Sequence, residues 1–513
     1  GVEGWSVGPW WSVDVSPVQA PGRYALRWAT AEAEGQSEGF EIAENILGHP
    51  VVSELVFYFK SQRSAGIYDR ADRQARRVGD GALRDVRGGW FDASGDTSKY
   101  LSHLSYANFM NPQQTPLVVW VLARAWHLYR AAGAAPYFLE RIQSEAQHGA
   151  DWLMRMQDPA GFWHVTVFDR WSKDPAQREL CSYRTQRGDK FSDYQAGWRQ
   201  GGGMAAAALA LASTLGDSAD FRAADYLSAA KKGFLHLQQQ GSAYLDDGQE
   251  NIIDDTCALL AAVELQALAP EAAVAGELDR RLSALLARRR KTGDVLWLAA
   301  DGAGERSWFH ASDAGLPLVV LFRLAAAHPS HPQAGAAREL AVALVRAQQA
   351  LGRGCNNPFG YPPHWVKTPG APGRVQWFYP HDNPSGYWWQ GENARLASLA
   401  AAAQAAAGAT GDDTLAAAAR QWVSWILGAN PFDRCMFHGR GRNNPVYEEH
   451  YHNAPGGVCN GITSGFTDES DIAFAPEPAA SDPAQRWRWG EQWLPHGAWL
   501  LYALVLRETS GSA

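Results

Sequence analysis

Cysteine is scarce in this chain: five residues in 513, at positions 181, 257, 355, 435 and 459. So few and so scattered, they exclude a disulfide scaffold, and the odd count leaves at least one thiol free unless chains pair. That usage fits a reduced or weakly oxidising compartment. Charge is thin as well. Charged residues make up 19% of the chain, without long runs, and leave a net charge of −8 with a pI near 6.0. Neither nucleic acid nor an anionic membrane is expected as a partner. No uninterrupted apolar run reaches 18 residues, so no transmembrane helix is expected. The opening GVEGWSVGPWW has no basic stretch and no apolar core of a leader, so any signal peptide is expected to be absent or already removed.

Tryptophan, by contrast, is abundant, with 23 residues. Many must fill a core, but an indole is also a flat apolar face with one donor, suited to stacking on sugar rings. Two stretches set aromatic rings against acids. In Gly88-Gly89-Trp90-Phe91-Asp92-Ala93-Ser94-Gly95-Asp96, two carboxylates stand four residues apart behind an aromatic pair. In Trp487-Arg488-Trp489-Gly490-Glu491-Gln492-Trp493, one carboxylate sits among three indoles. Desolvation raises a carboxyl pKa, so a Glu among indoles is suited to hold a proton near neutral pH and donate it. An acidic pair with one protonated Glu is equipment for cleaving a glycosidic bond with activated water.

The chain is too long for one ordinary core, so one large domain plus an appendage is expected. Residues 1–47 alternate apolar and polar residues around Pro-Gly and Gly-Gln turns, as short strands do. From residue 48 to 513 the period changes to that of amphipathic helices. Twelve are expected, at about 51–63, 114–132, 137–156, 197–215, 219–238, 252–268, 274–290, 312–327, 332–351, 391–408, 412–427 and 490–508. Six helical hairpins closed into an (α/α)6 barrel suit this count; no fixed repeat length supports an open solenoid. Four connections are long, 64–113, 157–196, 352–390 and 428–489. Long loops in a compact domain are usually functional, and these are expected to share one face and build a cleft.

Three motifs in this order carry a resemblance. GGWFDASGD resembles the GGW(F/Y)DAGD motif of glycoside hydrolase family 9, WGEQWLPHGAWLLYAL resembles that family's C-terminal acid segment, and ILGANPFDRCMFHGRGRN its G-x-N-P…H-x-R stretch. The resemblance implies an (α/α)6 barrel preceded by an immunoglobulin-like module, here a small and truncated β-segment, and inverting hydrolysis of β-1,4 glycosides. It makes Asp96 the general base, Asp92 its partner on the same water and Glu491 the general acid. His438 and Arg440 match residues that hydrogen-bond sugar hydroxyls, although an Arg440 paired to a loop carboxylate is the alternative. One departure stands out: Ser94 is inserted, so the two Asp are four apart instead of three. With YLSHLSYANFMNPQQTP it resembles a bacterial branch of exo-acting glucosidases and exo-β-glucosaminidases, which favours bacterial cytoplasm or periplasm. A loop carrying Tyr106, Asn108 and Phe109 is expected to close one end of the cleft.

The expected substrate is therefore a β-1,4-linked glucose or glucosamine oligosaccharide cut from its non-reducing end, with Trp90, Asp382, Trp388, Trp389 and Trp489 also against the sugar. Glu392 is a further candidate for the cleft wall. An endo-β-1,4-glucanase and a catalytically silent carbohydrate-binding protein on the same barrel are the rivals. No cofactor and no metal are expected. Cys435, His438, His450, His452 and Cys459 have metal-ligand chemistry, but their spacing matches no common zinc site. The segment before the Asp motif, where some family members bind zinc, here has neither Cys nor His. Asp254 and Asp255 are expected to serve a helix start, and Glu448 and Glu449 lack an apolar cage.

Overall fold

The inner helices are apolar on every side, and that decides the architecture. A computed structural model of the chain describes residues 5–103, 110–184, 187–383, 390–447 and 453–510. Among them are twelve helices of ten residues or more: α1 (His49–Ser61), α2 (Thr115–Ala131), α3 (Pro136–Met156), α4 (Gly203–Ala212), α5 (Ala223–Gln240), α6 (Ile252–Leu268), α7 (Ala272–Ala287), α8 (Leu316–Ala327), α9 (Ala334–Leu351), α10 (Glu392–Thr410), α11 (Asp413–Ile426) and α12 (Leu494–Thr509). The even-numbered helices touch in a closed ring, α2–α4–α6–α8–α10–α12 and back to α2. Each odd-numbered helix packs outside one of them, α1 on α12, α3 on α2, α5 on α4, α7 on α6, α9 on α8 and α11 on α10. This is the expected (α/α)6 barrel.

A helix apolar all round must be buried all round. In α4 every residue of GMAAAALALA is buried, and α10, with its run of alanines, is buried along nearly its whole length. Small side chains let the inner helices converge, while the outer helices bury one face only. Seven of the 23 tryptophans are fully buried in this core: Trp90, Trp120, Trp152, Trp163, Trp198, Trp425 and Trp499.

Because all inner helices run the same way, every outer-to-inner connection emerges at the same end. These are 62–114, 157–202, 241–251, 288–315, 352–391 and 427–493, whereas the inner-to-outer turns such as 132–135 and 411–412 are brief. The four long loops expected from sequence are among the six. Two of them build a five-stranded sheet of β5 (Ala75–Arg77), β6 (Leu83–Arg84), β7 (Lys99–Tyr100), β8 (Thr166–Phe168) and β9 (Glu179–Leu180), in the order β6-β5-β9-β8-β7. Only β5 and β9 pair in parallel.

The segment before α1 holds β1 (Gly22–Tyr24), β2 (Arg27–Ala29), β3 (Glu34–Gln36) and β4 (Phe40–Ile42). Gly22 faces Ile42 and Ala29 faces Glu34, so the four strands form one bent antiparallel hairpin. An immunoglobulin sandwich needs about seven strands; this is a small β-appendage only.

Four helices, α4, α5, α8 and α12, start four to six residues later than expected. The stretch before α4 is a wide turn, Trp198–Gly202, where Gly201 takes φ +97°, so the regular helix begins later. The last helix begins at Leu494, with Pro495 in its first turn. Glu491 therefore lies outside it, in extended backbone with ψ 133°.

Candidate active site

Asp92 and Asp96 lie in the connection between α1 and α2, and Glu491 lies just ahead of α12. Backbone pairing brings them together. Ala93 bridges Trp493, Ser94 N–H donates to the Gln492 carbonyl at 2.9 Å, and Leu494 N–H donates to the Asp92 carbonyl at 3.2 Å. Behind this seam, Cys459 bridges Gln492 and Phe437 bridges Val458. The segment carrying the acid is thus stitched edge to edge to the loop carrying the two Asp.

Two glycines permit that approach. Gly89 sits at φ +72° with the Trp152 ring so close that a Cβ would meet it at 2.7 Å. At Gly95 a Cβ would meet Glu491 Oε1 and the Tyr447 hydroxyl, each at 2.5 Å. Only glycine lets the Glu491 carboxyl lie against the Asp loop. Beneath the loop, buried Lys99 donates to the carbonyls of Val86 and Gly88 at 2.8 and 2.7 Å and pairs with Asp72 at 2.6 Å. Asp72 also takes Arg178 at 2.6 Å. This buried cluster fixes the Gly-Gly turn from below.

The three carboxylates have different surroundings. Asp92, 3% exposed, accepts from Trp493 Nε1 at 3.1 Å and from Gln114 Nε2. Burial, then the charges of Asp96 and Glu491, push its pKa well above the ordinary value. Asp96 accepts from the Ser98 amide and the Tyr100 hydroxyl, both at 2.8 Å. Burial first, with the nearby charge of Asp169, raises it to about 6. The two carboxyls are coupled and titrate as a pair that shares a proton. Glu491 is raised to about 8, by burial first and by the charge of Asp96 second. Lys173 bears on Glu491 and pulls its pKa down, but burial and the charge of Asp96 outweigh it. The basic side chain recorded against Asp92, His103 at 3.8 Å, has its own pKa lowered to about 4 by burial and is neutral.

Other expected site residues fare unevenly. Trp90 is corrected: its ring is fully buried among Phe59 and His148, and its Nε1 donates to Glu145 at 2.7 Å, so it is a core residue with no face for a sugar. Trp489, 3% exposed and edge-on to Phe466 at 6.3 Å, is an interior wall and not an open platform. The third indole of the expected cage, Trp493, turns its N–H to Asp92. Asp382 is exposed, with its backbone N–H 3.4 Å from Glu469. Tyr106, Asn108, Phe109, Trp388, Trp389, Glu448, Glu449, His450 and His452 lie outside the described residues.

Arg440 donates through Nε and Nη2 to both oxygens of Glu54 at 2.8 and 2.7 Å, the paired alternative. His438 is half-buried, with its backbone held by Gly456 and Gly457 and its Nδ1 without a partner among the described residues. Burial lowers its pKa, so the imidazole is neutral. Glu392 is not a cleft wall. It is buried, accepts from Arg395 Nε at 3.0 Å and the Tyr361 hydroxyl at 2.5 Å, and is held at about 2 by these partners against the pull of burial. Asp254 and Asp255 serve the start of α6 as expected. Asp254 takes the Asn251 amide and the Arg199 guanidinium, while Asp255 takes Arg281 and Arg288.

Several partners of the triad were not legible in sequence. Gln114 meets Asp92 from the start of α2, and Asp169 reaches toward Asp96 from another loop, held by Thr97 and Ser98 at 2.5 and 3.0 Å. Tyr100 carries the one local signal, four residues after Asp96 at the start of a strand.

A family model described as Glycosyl hydrolase family 9 matches residues 49–458, a span that includes both Asp and ends before Glu491. No curated protein sequence matches the chain. Among solved structures, a metagenome-derived glycoside hydrolase family 9 endoglucanase is 18% identical, with 97% of this chain and 86% of that one covered and a TM-score of 0.63. A structure of AaCel9A in complex with cellobiose-like isofagomine is likewise 18% identical, covering 96% of this chain and 89% of that one, TM-score 0.63. A Bacteroides ovatus GH9 protein is 15% identical, covering 99% and 91%, TM-score 0.62. At these identities the structural likeness carries the fold alone.

Proposed function

The chain belongs to glycosyl hydrolase family 9 and is a glycoside hydrolase; from that premise we propose that it hydrolyses β-1,4-linked gluco-configured oligosaccharides with inversion, using Asp96 as base and Glu491 as acid. One observation carries this reading: three buried carboxyls meet at one seam, and the two reactive ones titrate apart. Between pH about 6 and about 8, Asp96 is ionised and Glu491 is protonated. Asp96 takes a proton from water as its oxygen attacks the anomeric carbon opposite the leaving group. Glu491 gives its proton to the leaving oxygen as the glycosidic bond breaks, and the product is the α-anomer. Asp92, held by Trp493 and Gln114, keeps the water in line with Asp96. His438 offers an unpaired Nδ1 to a sugar hydroxyl.

We assign the cut to the non-reducing end. His103 N–H donates to the Pro112 carbonyl at 3.0 Å, closing the stem of the intervening loop, and the His103 ring stands 3.8 Å from Asp92. The four-residue Asp spacing, similar to that of exo-acting relatives, supports a cleft closed behind the terminal sugar. The likeness to an endoglucanase favours the second reading, an open groove cut internally. Proton NMR on short β-1,4 oligomers with glucose or glucosamine ends distinguishes them. The first product is expected to be an α-configured monosaccharide. An early mixture of internal fragments would establish the endo-acting reading, and a β-anomer first would overturn the roles of Asp96 and Glu491.

A further inference from the structure

The inserted Ser94 has its own place in the site. Its hydroxyl accepts from the Gln492 N–H at 3.0 Å and donates to Asn453 Oδ1 at 2.9 Å. Asn453 in turn donates through Nδ2 to the Gly490 carbonyl at 2.7 Å. Gly490 and Gln492 are the residues on either side of Glu491. One hydroxyl therefore holds the peptide after Glu491 directly and the peptide before it through Asn453. A third contact, Asn460 N–H to the Glu491 carbonyl at 2.9 Å, anchors the acid's own backbone. The Ser94 amide also donates to the Gln492 carbonyl, so main chain and side chain grip the same residue.

We propose that Ser94, acting with Asn453, is a positioning residue that sets the carboxyl of Glu491 against Asp96. The proposal rests on Glu491 being the acid. Ser94 touches no reacting atom; it controls where the proton donor stands, and rate is steeply sensitive to such placement. The fourth residue in the Asp-to-Asp spacing is what brings a hydroxyl to the seam.

The test compares two substrates, a natural β-1,4 oligosaccharide whose leaving oxygen needs a proton and an aryl β-glycoside whose leaving group does not. Ser94→Ala is expected to lower kcat on the oligosaccharide roughly 10–100-fold, the scale of a misplaced catalytic group, and on the aryl glycoside about threefold at most. KM should hold on both. Ser94→Thr should restore most of the loss, and Asn453→Ala should reproduce it without adding to it in the double variant, as expected for one network. Equal loss on the two substrates, or no loss on the oligosaccharide, would overturn the proposal. Glu491→Gln run alongside separates the premise from the inference. If that variant loses both substrates equally, Glu491 is not the acid and the premise fails. If it shows the leaving-group dependence and Ser94→Ala does not, only the role of Ser94 fails.

Discussion

Glu392 and Glu491 both stand at the loop-bearing end of inner helices, at the start of α10 and ahead of α12, and burial acts first on each. One is held at about 2 and the other is pushed to about 8. The difference is the company. Glu392 meets Arg395, Tyr361 and His364, while at Glu491 burial and the charge of Asp96 outweigh that of Lys173. The contrast recurs at other buried carboxyls, with Asp254 an exception that stays raised beside Arg199. Glu264 with Arg323, and Asp72 with Lys99 and Arg178, are buried and lowered; Asp92 and Asp96 are buried and raised. Burial alone does not make a carboxyl reactive. Burial that no cation outweighs leaves it able to hold, or take, a proton near neutral pH.

The comparison breaks most sharply on activity. Glu491→Gln keeps the shape and removes the proton, and is expected to cost roughly 10²–10⁴-fold in kcat on oligosaccharides. Asp96→Asn should cost at least as much while substrate binding persists, because the base acts on water. Both variants should fold normally. Glu392→Gln should do the opposite: it leaves Arg395 buried without a counter-charge, at a cost of about 3–5 kcal/mol. Its thermal midpoint should fall markedly while turnover per folded molecule holds. A Glu392→Gln protein that is stable but inactive would erase the distinction between the two sets.

A smaller effect follows from linkage. The folded-state pKa of Glu491, about 8, lies above the ordinary glutamate value of 4.5, so the folded protein binds this proton more tightly than the unfolded chain does. The stability it contributes is fully present below pH 4.5 and is lost as pH rises through 8. Glu491→Gln cannot suffer that loss. The variant should therefore match wild type near pH 5 and melt a few degrees higher at pH 9. A gap that closes or reverses on going alkaline would mean that Glu491 is ionised in the folded protein throughout.

The barrel was legible because it rests on local periodicity. All twelve long helices stand close to where apolar spacing placed them, and the long loops share one end as the alternation of inner and outer helices requires. Glu491 itself was legible from the rings around it, yet those rings serve other purposes: Trp493 turns to Asp92 and Trp489 is enclosed. Trp90 misled for the same reason. Trp90 stands two residues from Asp92, yet its indole turns into the core and its N–H goes to Glu145, so nearness in sequence did not place it against the acid. The partners that hold the acids, Gln114, Asp169 and Asn453, lie 22 or more residues along the chain from them, and no spacing announces them. Nor does spacing reveal that Glu54, on α1, takes Arg440.

The pH dependence of kcat/KM on a soluble oligosaccharide, with Glu491→Gln followed on an aryl glycoside, tests the central claim most directly. Wild type should give a bell, its acid limb near 6 from Asp96 and its alkaline limb near 8 from Glu491, since this parameter reports the free enzyme's groups. Glu491→Gln should keep the acid limb and lose the alkaline one. An alkaline limb that survives in Glu491→Gln would contradict the account, because the proton it reports would belong to another residue.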